Sequence, residues 1–117
     1  MFACVETPYM IFINQTDKKM DQLPNELRVN GTHHYCTHYV HPLQHVDLLR
    51  HYDNEYDSNA IAVVKTGQHQ YMMGYIQKEQ AAVLAPLMDS GELRFMYAHI
   101  GRVQPMHAFI EYAIYEG

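Results

Sequence analysis

The chain has 117 residues, of which 48% are hydrophobic and 18% charged, and it carries a formal charge of −5. That length suits one domain with a single core that needs neither metal nor disulfide, and the composition excludes a disordered or low-complexity chain. Thirteen acids against eight bases exclude the broad positive stripe of most nucleic-acid binders, although gripping one end of a strand takes only a few phosphate contacts.

No apolar run approaches the roughly 18 residues of a membrane span. The start, M-F-A-C-V-E-T-P-Y, has no basic n-region, and Glu6 interrupts its first apolar stretch, so no signal peptide is expected. Cys4 and Cys36 are isolated, which suggests free thiols in a reducing compartment. A cytoplasmic protein with no membrane contact is predicted.

There is no internal repeat. The first predicted strand is Tyr9 to Asn14, which stops at the polar run Gln15 to Asp21, and Leu23, Pro24 and Asn25 then mark a connection. A second extended segment is predicted over Glu26 to Val40, with Asn30-Gly31 as a turn signal in its middle. Pro42 begins a break, and Val46 to His51 reads as a short strand. Ala60 to Lys65 is the strongest strand signal. A turn over Thr66 to His69, centred on Gly67, leads back into Gln70 to Ile76, giving a β-hairpin. Gly74 interrupts the return strand and implies a bulge or a close backbone approach.

From Lys78 the period changes. Ala81, Leu84, Ala85 and Met88 fall at helical spacing, and Ser90-Gly91 closes the helix, with Pro86 removing one hydrogen bond inside it. Leu93 to Ile100 and Met106 to Tyr115 are predicted as two last strands around a loop holding Gly101 and Pro105. Six or seven strands and one main helix predict a mainly β (α+β) fold, a small, partly open barrel with the helix plugging one end.

The densest chemical information lies at Asp53 to Val64, D-N-E-Y-D-S-N-A-I-A-V-V. Asn54, Asp57 and Asn59 suit Asx-type turns, and Ile61, Val63 and Val64 suit a buried strand, so a carboxylate and an aromatic ring are set at a strand mouth. The order N-x-Y-D-x-N-A-I-x-V from Asn54, followed by M-G-Y-I-x-K-E at Met73 to Glu79, resembles the HIRAN domain family. The resemblance implies an OB-like barrel over residues 28–117, with residues 1–27 as an N-terminal extension of strand plus loop packed on it. It also implies a non-catalytic domain that captures single-stranded DNA at a free 3′-hydroxyl end. The implied role is an adaptor or end sensor in DNA repair, working with a helicase or nuclease in trans.

On that resemblance Tyr56 offers a face to a terminal base and Asp57 accepts a hydrogen bond from the 3′ hydroxyl, an ionised acceptor giving the stronger bond. The same charge repels a 3′ phosphate. The plainer alternative is that Asp57 bonds only the N–H groups of its own turn. Tyr35, in T-H-H-Y-C-T-H-Y, is the second stacking candidate. Family members that bind DNA show a basic residue and two tyrosines there, and this chain has His34, Tyr35 and Cys36, replacing a fixed cation with a titratable one and losing one ring. Lys78, near the helix start, is a phosphate candidate or else a solvated lysine paired with an acid. Tyr75 walls the implied pocket, Asn54 shapes the turn, and Phe109 is a loose candidate for its floor.

Two other readings stay open. A protein-interaction module that kept the fold and lost the DNA site fits His34, Cys36 and the acidic balance. A zinc-binding regulator fits the crowding of His33, His34, His38, His41 and His45, since His34, Cys36 and His38 share a face in a strand and suit zinc or copper. No C-x-x-C or H-E-x-x-H motif accompanies them. Catalysis has little support, with Cys36 beside His34 or His38 as the sole nucleophile–base pair, and no cofactor is implied.

Overall fold

Alternation of apolar and polar residues drives most of the architecture. Leu27 and Val29, Val46 and Leu48, Ile61 and Val63, and Ala108 and Ile110 recur at every second position and are buried. The computed structural model describes residues 23–32, 40–67 and 70–115. Their elements run β1 (Leu27–Asn30), β2 (Val46–Arg50), β3 (Ile61–Lys65), β4 (Met72–Ile76), helix α1 (Lys78–Ser90), β5 (Phe95–Val103) and β6 (His107–Ile114). They form one antiparallel six-stranded sheet in the order β2-β3-β4-β1-β6-β5.

The sheet curls until its two edges meet at one end. The Leu43 N–H donates to the Ile100 carbonyl at 2.7 Å, the Ile100 N–H donates to that of Gln44 at 2.8 Å, and His45 bridges His99. Past that point β2 and β5 form no ladder, so the mainly β, partly open barrel predicted above is the observed fold. The inward side chains of the sheet and Ala81, Leu84, Ala85 and Leu87 of α1 make one core.

Helix α1 spans Pro86, which faces solvent, so water can reach the Ala82 carbonyl that the proline leaves unbonded. Gly91 ends the helix at φ 82, a left-handed conformation that glycine adopts without a Cβ clash, and its N–H returns to the Met88 carbonyl. Gln80 ties the first turn to β1, accepting from the Arg28 N–H at 2.7 Å and donating to the Glu26 carbonyl at 3.1 Å.

Gly74 is the close approach its position in the return strand implied. It sits at φ 154 beside a register shift between β3 and β4, and a Cβ there would lie 2.3 Å from the Asn30 carbonyl oxygen. Gly101 differs from expectation. It lies within β5, which runs on to Val103, and an irregularity between Ile100 and Arg102 lets the strand continue past it with the Glu111 side chain packed against its Cα. The predicted strand Tyr9 to Asn14 and most of the extended segment after Gly31 lie outside the described residues.

One side chain fastens the β2–β3 connection to the helix end. The Arg50 guanidinium, almost fully buried, donates to the carbonyls of Ala60 at 2.6 Å and Ser58 at 2.9 Å, and to Asp89 at 2.9 Å. The Tyr52 hydroxyl also donates to Asp89 at 2.9 Å, and the guanidinium lies 4.6 Å from the Tyr52 ring centre. The hydrogen bond from Arg50 holds the Asp89 carboxyl below its ordinary value, and the bond to Asp89 pushes the Tyr52 phenol up.

Replacing Gly74 with alanine should lower stability by about 2 kcal/mol or more, because the new methyl meets backbone rather than a yielding side chain; a urea midpoint within error of the parent would contradict this. Because folding depresses the Asp89 pKa, its contribution is present above the ordinary value of 3.8 and is lost as pH falls through the lowered one. The difference in Tm between the parent and Asp89→Asn should therefore be largest near neutrality and shrink as pH drops below about 4.

Candidate nucleic-acid interface

The turn after β2 is built from its own side chains. Asn54 Oδ1 accepts from the N–H groups of Tyr56 at 2.9 Å and Asp57 at 3.0 Å, and Asp57 Oδ1 accepts from the Asn59 N–H at 2.9 Å. The Ala60 N–H closes the loop on the Asp57 carbonyl at 3.1 Å. These are the Asx turns that the run of Asn and Asp residues predicted. Two consequences follow for chemistry. The Tyr56 ring stands 89% exposed, and the second Asp57 carboxylate oxygen has no hydrogen-bond partner among the described residues.

Behind the turn sits a histidine that sequence reasoning missed. His51 Nδ1 lies 2.8 Å from the Tyr75 hydroxyl and 3.2 Å from the Asn54 amide, while Nε2 lies 3.2 Å from Asp53. With Nε2–H donating to Asp53, the single lone pair of Nδ1 is shared between the Tyr75 hydroxyl and the Asn54 amide. The His51 and Tyr75 rings stack at 5.8 Å and 14°. Asn54 thus both shapes the turn and links it to Tyr75.

Strand register then carries the site across the sheet. His107 pairs with Asn30, Asn30 with Tyr75, and Tyr75 with Ala62, so these residues form one row. Val29 and Ile76, one residue away, face the core, which puts the row on the outer surface. At its far end Arg28, Asn30, Gly31, Pro105, Met106 and His107 line a cavity of about 460 Å³. Arg28 is steadied by a 2.8 Å bond from its Nε to Asn30 Oδ1. Phe109 pairs in register with Arg28, beneath the Arg102 guanidinium at 4.1 Å, and so belongs to this outer face.

Lys78 is exposed in the first helical turn, and no described residue pairs with its ammonium. Gln77, the N-cap, offers no side-chain bond, so the amides of that turn lack a side-chain cap, and Gln80 ties the turn to β1. Tyr56, Asp57, Asn54 and Tyr75 therefore share one region, with Lys78 three residues beyond Tyr75. Neither the cavity beside Arg28 nor the cleft lined by Val46–Leu49 and Leu93–Ala98 borders Tyr56 or Asp57. Tyr35, His34 and Cys36, with His33 and His38, lie outside the described residues. Sequence reasoning read Asn30 only as part of a turn signal and marked neither His51 nor His107, since strand register and long-range contacts bring them to this face.

No metal-ligand cluster of three or more groups occurs among the described residues, and no described helix is long and apolar enough to cross a membrane. No curated protein matches the chain. The crystal structure of the HIRAN domain of human HLTF superposes with a TM-score of 0.66 at 24% identity, covering 76% of this chain and 72% of that one. That likeness establishes the fold. The family model for the HIRAN domain matches residues 26–113, and by that match the chain belongs to the HIRAN domain family, a family of DNA-binding domains.

Proposed function

We propose that this domain holds single-stranded DNA at a free 3′-hydroxyl end, as a non-catalytic adaptor or end sensor in DNA repair or processing. A helicase or nuclease acting in trans would supply the chemistry. The observation that carries the proposal is the Asp57 carboxylate, with one oxygen spent on its turn and the other unbonded among the described residues beside an open Tyr56 ring.

The terminal hydroxyl donates to that free oxygen, and the last base stacks on Tyr56. Asp53 and Glu55, both exposed and close to Tyr56 in the same turn, add negative charge there, so a phosphate beyond the 3′ oxygen is repelled. The strand leaves toward Tyr75, where Lys78 and the open first turn of α1 receive a phosphate, and Arg28 and His107 extend the path. Tyr35 serves as the second stacking ring and His34 as a titratable cation. A second reading, a protein-interaction module, is favoured by the same acidic rim around Tyr56.

Fluorescence anisotropy with short oligonucleotides separates the two. A 3′-hydroxyl strand should bind about tenfold or more tighter than its 3′-phosphate counterpart, and Asp57→Asn, which keeps the turn bond to Asn59, should erase the difference. Tyr56→Leu should weaken binding by about 1–3 kcal/mol whatever the base. Lys78→Gln should reduce the salt slope by roughly 0.7, one single-strand phosphate. Equal affinity for both ends removes Asp57 from its role, and absence of binding at low salt leaves the protein-interaction reading.

A further inference from the structure

His51 stands behind the turn that carries Tyr56 and Asp57 and has no role in the function proposed above. Its backbone belongs to the base of that turn. The His51 N–H donates to the Ala60 carbonyl at 3.0 Å, and the His51 carbonyl accepts from the Asn54 N–H at 3.3 Å. Its side chain is 40% exposed, so hydrogen bonds rather than burial fix the ring. The ionised Asp53 carboxylate, 3.2 Å from Nε2, can only accept, so Nε2 carries the proton and Nδ1 keeps its lone pair.

Two donors converge on that lone pair from different parts of the fold. The Tyr75 hydroxyl reaches it at 2.8 Å from β4, and the Asn54 amide at 3.2 Å from the turn. The second contact selects the amide orientation that the turn needs. With its NH2 group on His51, the Asn54 side chain offers Oδ1 to the N–H groups of Tyr56 and Asp57, whereas a flipped amide would set NH2 against those two donors. The first contact, together with ring planes only 14° apart, sets the tilt of the Tyr75 ring. One nitrogen thus joins the turn to β4.

We propose that His51 is a positioning residue of the DNA-end site, its Nδ1 acceptor holding the Tyr56–Asp57 turn and the Tyr75 ring in the arrangement that receives a 3′-terminal nucleotide. The proposal rests on the DNA-end reading above. His51 acts through Asn54 and Tyr75 and not by touching the strand. Its effect is preorganisation, since a turn already set against β4 does not have to be ordered when the strand arrives.

Substitutions at this position separate the role from bulk support. His51→Asn sets an amide oxygen where Nδ1 stands and keeps an acceptor for both donors, whereas His51→Leu fills similar space without one. In anisotropy with the 3′-hydroxyl and 3′-phosphate oligonucleotides, His51→Leu should bind the hydroxyl strand about fivefold or more weaker and narrow its preference over the phosphate strand. His51→Asn should return both quantities to within about twofold of the parent. His51→Gln, whose amide reaches the Nε2 position instead, should behave as the leucine variant does and replaces it if leucine prevents folding. Without DNA, the Tyr56 and Asp57 amides should exchange about tenfold faster in His51→Leu and near the parent rate in His51→Asn. A parent that prefers the 3′ hydroxyl, with a leucine or glutamine variant of undiminished affinity and preference, would overturn the positioning role alone. Equal losses in the asparagine and leucine variants would do the same, because the acceptor would then not be what matters. A parent without end preference would overturn the DNA-end reading and this role with it.

Discussion

The Arg50 guanidinium is the constraint on which the rest of the site depends. Placed almost out of water, a cation must satisfy its N–H groups locally, and this one does so on two turn carbonyls and a carboxylate at the helix end. The end of β2, the start of β3 and the end of α1 are thereby joined through one planar group. A lysine cannot reproduce this, since its ammonium lacks the fork that reaches several acceptors in fixed directions. Because the turn is held from behind, its opposite side is free to present an aromatic ring and a carboxylate oxygen.

The parts of the fold governed by local chemistry were readable from the residues alone. Asn54 and Asp57 bond backbone two or three positions away, so the turn follows from sequence spacing, and the helix follows from the period of Ala81, Leu84 and Ala85. Gly74 was readable for the same reason, as a glycine where alternation demands a side chain. Long-range placement was not readable. Nothing in the spacing says that β1 lies between β4 and β6, so the row of His107, Asn30 and Tyr75 was invisible, as was the reach of Arg50 to Asp89. Gly101 misled because the same residue type serves both a loop and an irregular strand.

An acidic chain in a family that binds single-stranded DNA is less odd once charge is placed rather than summed. Arg102 is paired with Glu26, and Arg50 is committed to the turn, whereas Lys78 has no partner among the described residues. Asp53, Glu55 and Asp57 share the turn that carries Tyr56, while Arg28 and His107 lie at the far end of the row that crosses the sheet. Local separation of sign leaves cationic groups available on one part of the surface, which a net charge of −5 does not describe.

The central seat of β1 also bears on how the domain is assembled. Leu27 pairs with Ile110, and Val29 with both Ile76 and Ala108, so an early segment waits for the last strand before its neighbours are complete. Topology of this kind has high contact order and folds slowly. During synthesis on a ribosome β1 can pair with β4 as soon as Met72–Ile76 has emerged, but its second edge stays open until β6 is made.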